Sequence, residues 1–227
     1  PGLREAGISA IILDRDTLTN TTPDGQPLLV DYLHTQGIIT GLKTDEGLED
    51  DPAAPPKTGV KRVKDPELTK LPALLETATA RGMGFTKYRT TVRANDPPEA
   101  NMRLNAQAQA RQAQRSQAAG LVPIVEPEVI FDGSDDSPAT HDLAASYAAT
   151  TRMLELTFEA LAQAGVWLDG IVLKTSMILA GKNAPQQTDA ETVGFETLKG
   201  LVKTVPAGVG AVVFLSGGQG DDQATAN

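Results

Sequence analysis

Short apolar segments alternate with longer mixed segments along the chain. Six apolar segments are rich in β-branched residues, as strands are, and they cover residues 8–13, 37–42, 84–88, 121–125, 170–174 and 211–215. The segments between them are rich in Ala, Leu and Glu and predict helices over residues 72–81, 98–119, 138–164 and 189–204. Strands and helices are therefore expected to alternate.

This alternation sets the expected fold class. Nearly continuous apolar strands separated by helices favour an α/β protein with a parallel sheet, either doubly wound or closed as a (β/α)8 barrel. The strands begin about 41 residues apart, which suits barrel units with long loops. We expect residues 1–227 to form a single domain of this kind.

Composition excludes several classes of protein. The chain has no cysteine and two histidines, so a Cys/His zinc site, a disulfide framework and a thiol nucleophile are ruled out. Its net charge of −9 disfavours binding to nucleic acid, which needs a basic surface. No apolar run approaches the length that spans a bilayer and no signal peptide is visible, so we expect a cytoplasmic protein without a membrane partner.

Several unusual features have ordinary structural interpretations. The basic segment 57–64 follows three prolines and is expected to be an exposed loop. The Ala/Gln/Arg-rich segment 106–115 is expected to belong to an outer barrel helix. His34 and His141 are interpreted as structural or solvated residues.

Charged residues occur near the carboxyl ends of several predicted strands. They are Lys43 after the second strand, Lys87 within the third, Glu126 and Glu128 after the fourth, and Lys174 at the end of the fifth. A single lysine at a strand end is most often a solvated terminus. In a parallel barrel, however, all these ends open on the face that carries active sites, so five charges predict a catalytic cluster.

Lysines beside carboxylates suit amine chemistry. A lysine is nucleophilic only after it loses its proton, which desolvation or a neighbouring cation favours. Its amine can then attack a ketone, and a glutamate can transfer the proton that releases water and leaves an iminium, an electron sink for C–C cleavage. The sequence contains no G-x-S-x-G, Walker or H-E-x-x-H motif.

A glycine-rich turn follows the sixth predicted strand, with the sequence Ser216-Gly217-Gly218-Gln219. Backbone N–H groups of such a turn can approach an anion closely, and barrel loops near the seventh strand often bind phosphate. A plain tight turn is the alternative interpretation.

The chain resembles the class I, Schiff-base-forming fructose-1,6-bisphosphate aldolases in four segments. Residues 84–89 are similar to the family's G-x-F-A-K-W-R and residues 121–129 to its V-P-I-V-E-P-E-V. Residues 170–177 are similar to G-x-L-L-K-P-N-M and residues 214–219 to F-L-S-G-G-Q. The order and spacing of these segments agree along nearly the whole chain.

The resemblance implies a (β/α)8 TIM barrel and a metal-independent lyase without a cofactor. It implies that Lys174 forms the Schiff base and that Glu126 is the general acid/base. Lys87 would be the second lysine, and Glu128 would tune the charge of the cluster. The residues implied to contact substrate hydroxyls or phosphate are Lys43, Arg89, Ser216, Gly217 and Gly218. The implied reaction is reversible cleavage of fructose 1,6-bisphosphate in glycolysis and gluconeogenesis.

Parts of the family pattern have no counterpart in these residues. The family's first strand, with its catalytic aspartate, and its eighth strand are not matched, so we expect strands two to seven of a barrel truncated at both ends. An open barrel would expose apolar strand edges. Thr175 and Ser176 replace the family's Pro and Asn after the lysine, and Tyr88 replaces Trp. Residues 41–47 are similar to the family's G-I-K-V-D-K-G, in which Glu46 replaces the second Lys. These replacements leave substrate preference open.

Three functions remain open on the sequence. The first is a class I aldolase that binds a sugar phosphate, is homo-oligomeric when intact, and has no nucleic-acid or membrane partner. The second is a lysine-dependent aldolase for another sugar phosphate, favoured by the residues after Lys174. The third is a catalytically silent scaffold, against which the retention of Lys174, Glu126 and Lys87 argues.

Overall fold

The computed structural model describes residues 2–19, 29–55, 58–65, 67–95, 97–131, 133–134 and 137–227. The strands are β1 (Ala10–Leu13), β2 (Ile39–Lys43), β3 (Leu48–Asp50), β4 (Lys61–Val63), β5 (Phe85–Val92), β6 (Val122–Val129), β7 (Gly133–Ser134), β8 (Ser137–Pro138), β9 (Val172–Thr175) and β10 (Ala211–Phe214). The α-helices are α1 (Leu29–Thr35), α2 (Leu71–Ala80), α3 (Glu99–Ala118), α4 (Leu143–Gln163), α5 (Ala190–Thr204) and α6 (Asp221–Ala226). Two 3-10 helices cover Arg15–Thr19 and Leu168–Gly170.

Six strands form one sheet in the order β1-β2-β5-β6-β9-β10. Every neighbouring pair in this sheet is parallel. Each connection between successive strands of the sheet carries an α-helix. The six strands are those expected from the hydrophobic pattern, and four of the helices are those expected from composition. The α/β class with a parallel sheet of barrel type is therefore confirmed.

The helix ends are defined by side chains and glycines that satisfy the free backbone groups. Asp142 caps α4 and Asp189 caps α5, since each carboxylate accepts the N–H three residues later, at 2.8 and 2.9 Å. Gly82, Gly120 and Gly165 follow α2, α3 and α4 in the left-handed region, with φ of 64°, 78° and 68°. An aspartate before a helix and a glycine after it are both visible in the sequence, so they indicate where these helices begin and end.

Two apolar cores hold the helices on the sheet. The larger core includes buried side chains of β5, β6, β9, α3 and α4, such as Val125, Met153, Leu154, Leu161 and Leu173. The second core includes buried side chains of β1, β2, α1 and α2, such as Leu13, Leu33, Leu42, Leu71 and Leu75. Because apolar burial fixes which face of each strand meets the helices, it also fixes which side chains face away from them.

Helix α3 also buries a row of polar side chains, which its composition did not reveal. Gln112 donates from Nε2 to the hydroxyl oxygens of Thr86 and Ser116, at 2.9 and 2.8 Å. Gln109 donates to Thr90 Oγ1 at 2.8 Å. Segment 106–115 is therefore a helix that packs on the sheet, as expected, but its glutamines connect it to β5 through buried hydrogen bonds.

Two short antiparallel hairpins interrupt the β/α pattern, β3 with β4 and β7 with β8. Strand β4 lies inside the basic segment, so the prediction of a loop was wrong for Lys61–Val63. Lys61 and Arg62 pair with acidic side chains of β3 at 2.5 and 2.7 Å, and such cross-strand ion pairs support a hairpin. Pro56 and Lys57 lie outside the described residues.

The two outermost strands of the sheet expose apolar side chains. Val212, Val213 and Phe214 of β10 are 38 to 47% exposed, and Ile12 of β1 at the opposite edge is 38% exposed. This agrees with the exposed strand edges expected for an open barrel wall. Among the described residues, the helices are too short or too polar to cross a membrane.

Candidate active site

The carboxyl ends of the parallel strands bring together the charged residues that the sequence singled out. Lys43 is the last residue of β2, Lys87 and Arg89 lie two residues apart in β5, and Glu126 and Glu128 lie two residues apart in β6. Residues two apart on a strand share a face of the sheet. Each of the two central strands therefore presents two charges on one side.

Glu126 lies between two lysines. Its Oε1 atom is 3.0 Å from Lys174 Nζ, and its Oε2 atom is 2.5 Å from Lys87 Nζ in an ion pair outside hydrogen-bond geometry. Glu126 and Lys87 are buried, whereas the Lys174 side chain is 24% exposed. A buried charge is stable only with a partner, so the carboxylate of Glu126 holds both ammonium groups and leaves Lys174 open to the cleft.

Asp45 is a buried carboxylate that the sequence analysis missed. Its two oxygens lie 3.6 Å from Lys43 Nζ and 3.7 Å from Lys87 Nζ. It also accepts the backbone N–H of Arg89 at 3.2 Å and of Gly47 at 3.3 Å. Asp45 lies two residues beyond the end of β2, and the available signal in the sequence was the similarity of residues 41–47 to the family's G-I-K-V-D-K-G, in which Asp45 matches the aspartate.

Lys43 lies between two carboxylates at the edge of the cluster. Its Nζ atom is 3.2 Å from Asp14 Oδ2 and 3.6 Å from Asp45 Oδ1. Partial burial lowers the pKa of Lys43, but Asp45 and Asp14 outweigh this effect and hold the pKa above its usual value of 10.5. Lys43 is therefore a stable cation at neutral pH, suited to contact with an anion.

Arg89 and Glu128 form a second pair next to Glu126. Arg89 donates from Nε to Glu128 Oε2 at 2.5 Å. This hydrogen bond outweighs the effect of partial burial and raises the pKa of Arg89 above its ordinary value. Because only Nε is engaged by Glu128 and the side chain is 37% exposed, the remaining guanidinium N–H groups are available to a ligand.

The loop after β10 supplies backbone N–H groups beside these charges. Gly217 and Gly218 have φ of 64° and 93°, values that L side chains rarely adopt. The turn is closed by Gln219, whose backbone N–H and side-chain amide both donate to the carbonyl oxygen of Ser216, at 3.1 and 2.9 Å. These conformations suit glycine, and they are compatible with both a phosphate-binding loop and a plain tight turn.

These residues meet in one open cleft of about 400 Å³. Its lining consists of Arg89, Glu126, Glu128, Lys174, Phe214, Leu215, Ser216, Gly217 and Gly218. Lys87 lies against Glu126, and Lys43 is connected to Lys87 through Asp45. The structure thus brings seven of the nine predicted site residues into one lining and joins the other two to it by ion pairs.

The fold and the site define a β/α-barrel protein with an amine-bearing polar cluster at the carboxyl ends of its strands. This is the position at which barrel enzymes carry their catalytic groups. Within the described ranges, no group of three or more His, Asp or Glu side chains is arranged to hold a metal ion. The chemistry available from the side chains is that of an amine, its neighbouring carboxylates and cations for anionic groups.

Comparisons with known proteins give the family. The model of the family "Fructose-bisphosphate aldolase class-I" matches residues 2–227. A probable class 1 fructose-bisphosphate aldolase of Xanthomonas axonopodis is 39% identical over 223 residues, which are 97% of this chain and 63% of the relative. Cytoplasmic isozyme 2 of Pisum sativum is 37% identical over 97% of this chain and 58% of its own length.

A solved structure agrees with these sequence relatives. Fructose-bisphosphate aldolase from Plasmodium falciparum superposes with a TM-score of 0.85 at 34% identity, covering 96% of this chain and 61% of that one. The chain therefore belongs to the class-I fructose-bisphosphate aldolase family. It spans about three fifths of the length of the relatives that it matches.

Proposed function

We propose that the protein catalyses the reversible cleavage of fructose 1,6-bisphosphate to dihydroxyacetone phosphate and glyceraldehyde 3-phosphate. The single observation that carries the proposal is the buried carboxylate of Glu126, placed 3.0 Å from Lys174 Nζ and 2.5 Å from Lys87 Nζ. Family membership supports the same reaction.

The arrangement suits formation of an imine on Lys174. Glu126 first takes a proton from Nζ of Lys174, and the neutral amine then adds to the ketone carbon and gives a carbinolamine. Glu126, within proton-transfer distance of Nζ, delivers the proton with which the carbinolamine hydroxyl leaves as water. The carboxylate left on Glu126 then takes the proton of the C4 hydroxyl, and the electron pair of the breaking C3–C4 bond moves to the iminium, so an aldehyde departs and an enamine stays on Lys174. Protonation and hydrolysis of the enamine return the amine.

Lys87 has a supporting role in this proposal. Its ammonium group lies against Oε2 of Glu126, so it stabilises the carboxylate that remains after the proton is given up. Glu128 pairs with Arg89, so its negative charge is balanced by the guanidinium group.

The anionic ends of the substrate are assigned to two regions of the cleft. We place one phosphate at the backbone N–H groups of Ser216, Gly217 and Gly218, where the glycines permit close approach. We assign contacts with substrate hydroxyls or the other phosphate to the cations Arg89 and Lys43. All the groups in these assignments belong to the cluster described above.

The finer properties of the protein are also proposals. Relatives named cytoplasmic or cytosolic, from Pisum sativum and Arabidopsis thaliana, support a cytoplasmic location and a place in sugar-phosphate metabolism. No metal or cofactor is invoked in any step.

The proposed function is tested by trapping the imine. The protein is incubated with dihydroxyacetone phosphate and reduced with borohydride, and the digest is examined by mass spectrometry for a stable adduct on the peptide that contains Lys174. Lys174→Met should abolish the adduct. Lys203→Met is the matched control, because Lys203 also pairs with a glutamate, Glu155 at 3.3 Å, but does not line the cleft.

An adduct confined to Lys174 supports the proposal, and a panel of ketose phosphates then ranks the substrates. A chain that circular dichroism shows to be folded and that gives no adduct contradicts it. That result would favour the catalytically silent scaffold.

A further inference from the structure

The hydrogen-bonded ladder between β6 and β9 stops at the two central residues of the site. It contains two register pairs, and the last joins Val125 to Leu173. Glu126 and Lys174 are the next residues of these strands. The β5–β6 ladder, in contrast, continues through Val129, and the β9–β10 ladder continues one residue past Lys174. Beside Glu126 and Lys174 there is therefore a gap, in which β6 and β9 are not joined by ladder hydrogen bonds. At this level β6 is held mainly by β5, and β9 mainly by β10.

The hydroxyl of Ser176 bridges the far end of this gap. Its oxygen accepts the backbone N–H of Val129 at 2.9 Å and donates to the carbonyl oxygen of Val129 at 3.2 Å. A hydroxyl can donate and accept at once, so one side chain replaces both partners that a backbone ladder would supply. Ser176 is only 4% exposed, so water competes little for these bonds.

The gap is thus closed at both ends. Backbone bonds near Val125 and Leu173 close one end, and Ser176 closes the other, two residues beyond Lys174. The separation of 3.0 Å between Lys174 Nζ and Glu126 Oε1 lies between these two closures. Without the hydroxyl, the end of β9 would still be paired with β10 but would lose both bonds to Val129 of β6, so Lys174 would be held less firmly against Glu126.

We propose that Ser176 is a positioning residue that sets the distance between Lys174 and Glu126 for proton transfer during imine formation. The inference rests on the proposed aldolase function, because it concerns a step of that reaction. Ser176 acts through the backbone of β6 and does not line the cleft. The family pattern has Asn at this position, whose amide can also donate and accept, so the serine keeps both capacities in a shorter side chain.

The test compares rates of imine trapping at Lys174 over a series of dihydroxyacetone phosphate concentrations. Ser176→Ala should slow the saturated rate by roughly 10- to 100-fold, since small misplacement of reacting groups has effects of this size. The concentration that gives half of the maximal rate should change little, because the loop at Ser216–Gly218 is untouched. Ser176→Thr, which keeps the hydroxyl, should recover most of the rate.

Ser146→Ala is the matched control. Ser146 is also a buried serine, and its Oγ accepts the backbone N–H of Leu179 at 3.3 Å, so its removal also leaves a buried N–H unpaired. Ser176→Ala additionally leaves the carbonyl oxygen of Val129 without its donor. Ser146→Ala should lower the melting temperature and leave the trapping rate at Lys174 unchanged. A merely structural role of Ser176 would likewise lower the melting temperature of Ser176→Ala without slowing trapping.

The outcomes separate this inference from the proposed function. Equal trapping rates for Ser176→Ala and Ser146→Ala, with normal trapping by the wild-type chain, would overturn the positioning role alone. Absence of an adduct in the wild-type chain would overturn the aldolase proposal and the inference with it. If Ser176→Ala does not fold, Ser176→Cys provides the comparison: its thiol is a weaker donor and acceptor, so an intermediate rate supports the role and an unchanged rate contradicts it.

Discussion

At the scale of single residues, the site is built on two buried carboxylates that are shared among three lysines. Glu126 divides its two oxygens between Lys174 and Lys87, and Asp45 divides its oxygens between Lys87 and Lys43. Each carboxylate therefore has two lysine partners, and removing either carboxylate would take an ion-pair partner from two lysines at once. Such shared partners are stronger constraints on geometry than isolated surface pairs.

The first prediction concerns Glu126→Gln. The amide keeps the shape of the side chain but can neither deliver the dehydrating proton nor balance two lysines. Imine formation at Lys174 should fall by about 10²- to 10⁴-fold, the usual contribution of a general acid/base, as measured by the borohydride trapping rate. Glu155→Gln removes a half-buried glutamate that also pairs with a lysine but lies outside the cleft, and it should have no effect. Trapping by Glu126→Gln at the wild-type rate would remove Glu126 from the mechanism.

The second prediction concerns the loop after β10. Gly217 has φ of 64°, a region that costs an L residue about 1–2 kcal/mol, and an added Cβ would lie 3.2 Å from a side-chain atom of Leu215. Gly217→Ala should therefore displace the loop and raise the KM for fructose 1,6-bisphosphate by roughly 10-fold, with a smaller change in kcat. Gly208→Ala, where a Cβ meets open space, is the control. An unchanged KM would argue that phosphate binds elsewhere.

At the scale of elements, helix α3 shows how polar contacts can secure packing. Its buried face carries Asn105, Gln109, Gln112 and Ser116, and the first three donate hydrogen bonds within this interface. Hydrogen bonds are directional, whereas apolar contacts are not, so these amides specify the register of α3 on β5. Lys87 and Arg89 lie on β5, so the register of this helix supports the site.

The third prediction tests this interface. Gln112→Leu keeps a similar volume but removes the amide that donates to the hydroxyl oxygens of Thr44, Thr86 and Ser116, of which Ser116 keeps a hydrogen bond from Thr86. Unfolding in urea should show a loss of about 2 kcal/mol. Gln107→Leu makes the same change on the exposed face of α3 and should be nearly neutral. Equal stability of the two variants would show that the amide contacts do not secure the helix.

At the scale of the whole molecule, stability is linked to pH through a buried histidine. His141 lies just before α4 and is 4% exposed, and burial lowers its pKa below the usual 6.5, although Asp142 and a hydrogen bond to the backbone of Leu179 act in the opposite direction. Below pH 6.5 the unfolded chain takes up a proton that the folded chain resists. The folded state is therefore favoured above this pH and loses stability as the pH falls.

The fourth prediction follows from this sign. Between pH 7.5 and 5.5 the melting temperature of the wild-type chain should fall, and that of His141→Gln should fall less steeply, whatever the stability of the variant at pH 7.5. Differential scanning calorimetry over this range measures both slopes. Parallel slopes would mean that His141 makes no contribution to the pH dependence.

The sequence by itself determined the elements and most members of the site. The six strands were predictable because β-branched apolar runs suit a pleated, buried surface, and the charges at their ends stood out because apolar strands rarely end in so many lysines and glutamates. The motifs that resemble the aldolase family were local runs of sequence, so their identification did not depend on the fold.

Only the tertiary structure decided how these residues are paired. Asp45 joins Lys43 to Lys87, and Ser176 joins β9 to β6, through contacts between segments that are distant along the chain. The buried face of α3 and the strand inside the basic segment were hidden for the same reason, since polar composition suggests exposure until a partner is known. The sequence shows the hydrophobic period and the side-chain chemistry of each element. Burial and pairing depend on which elements pack together, and the tertiary structure alone decides that.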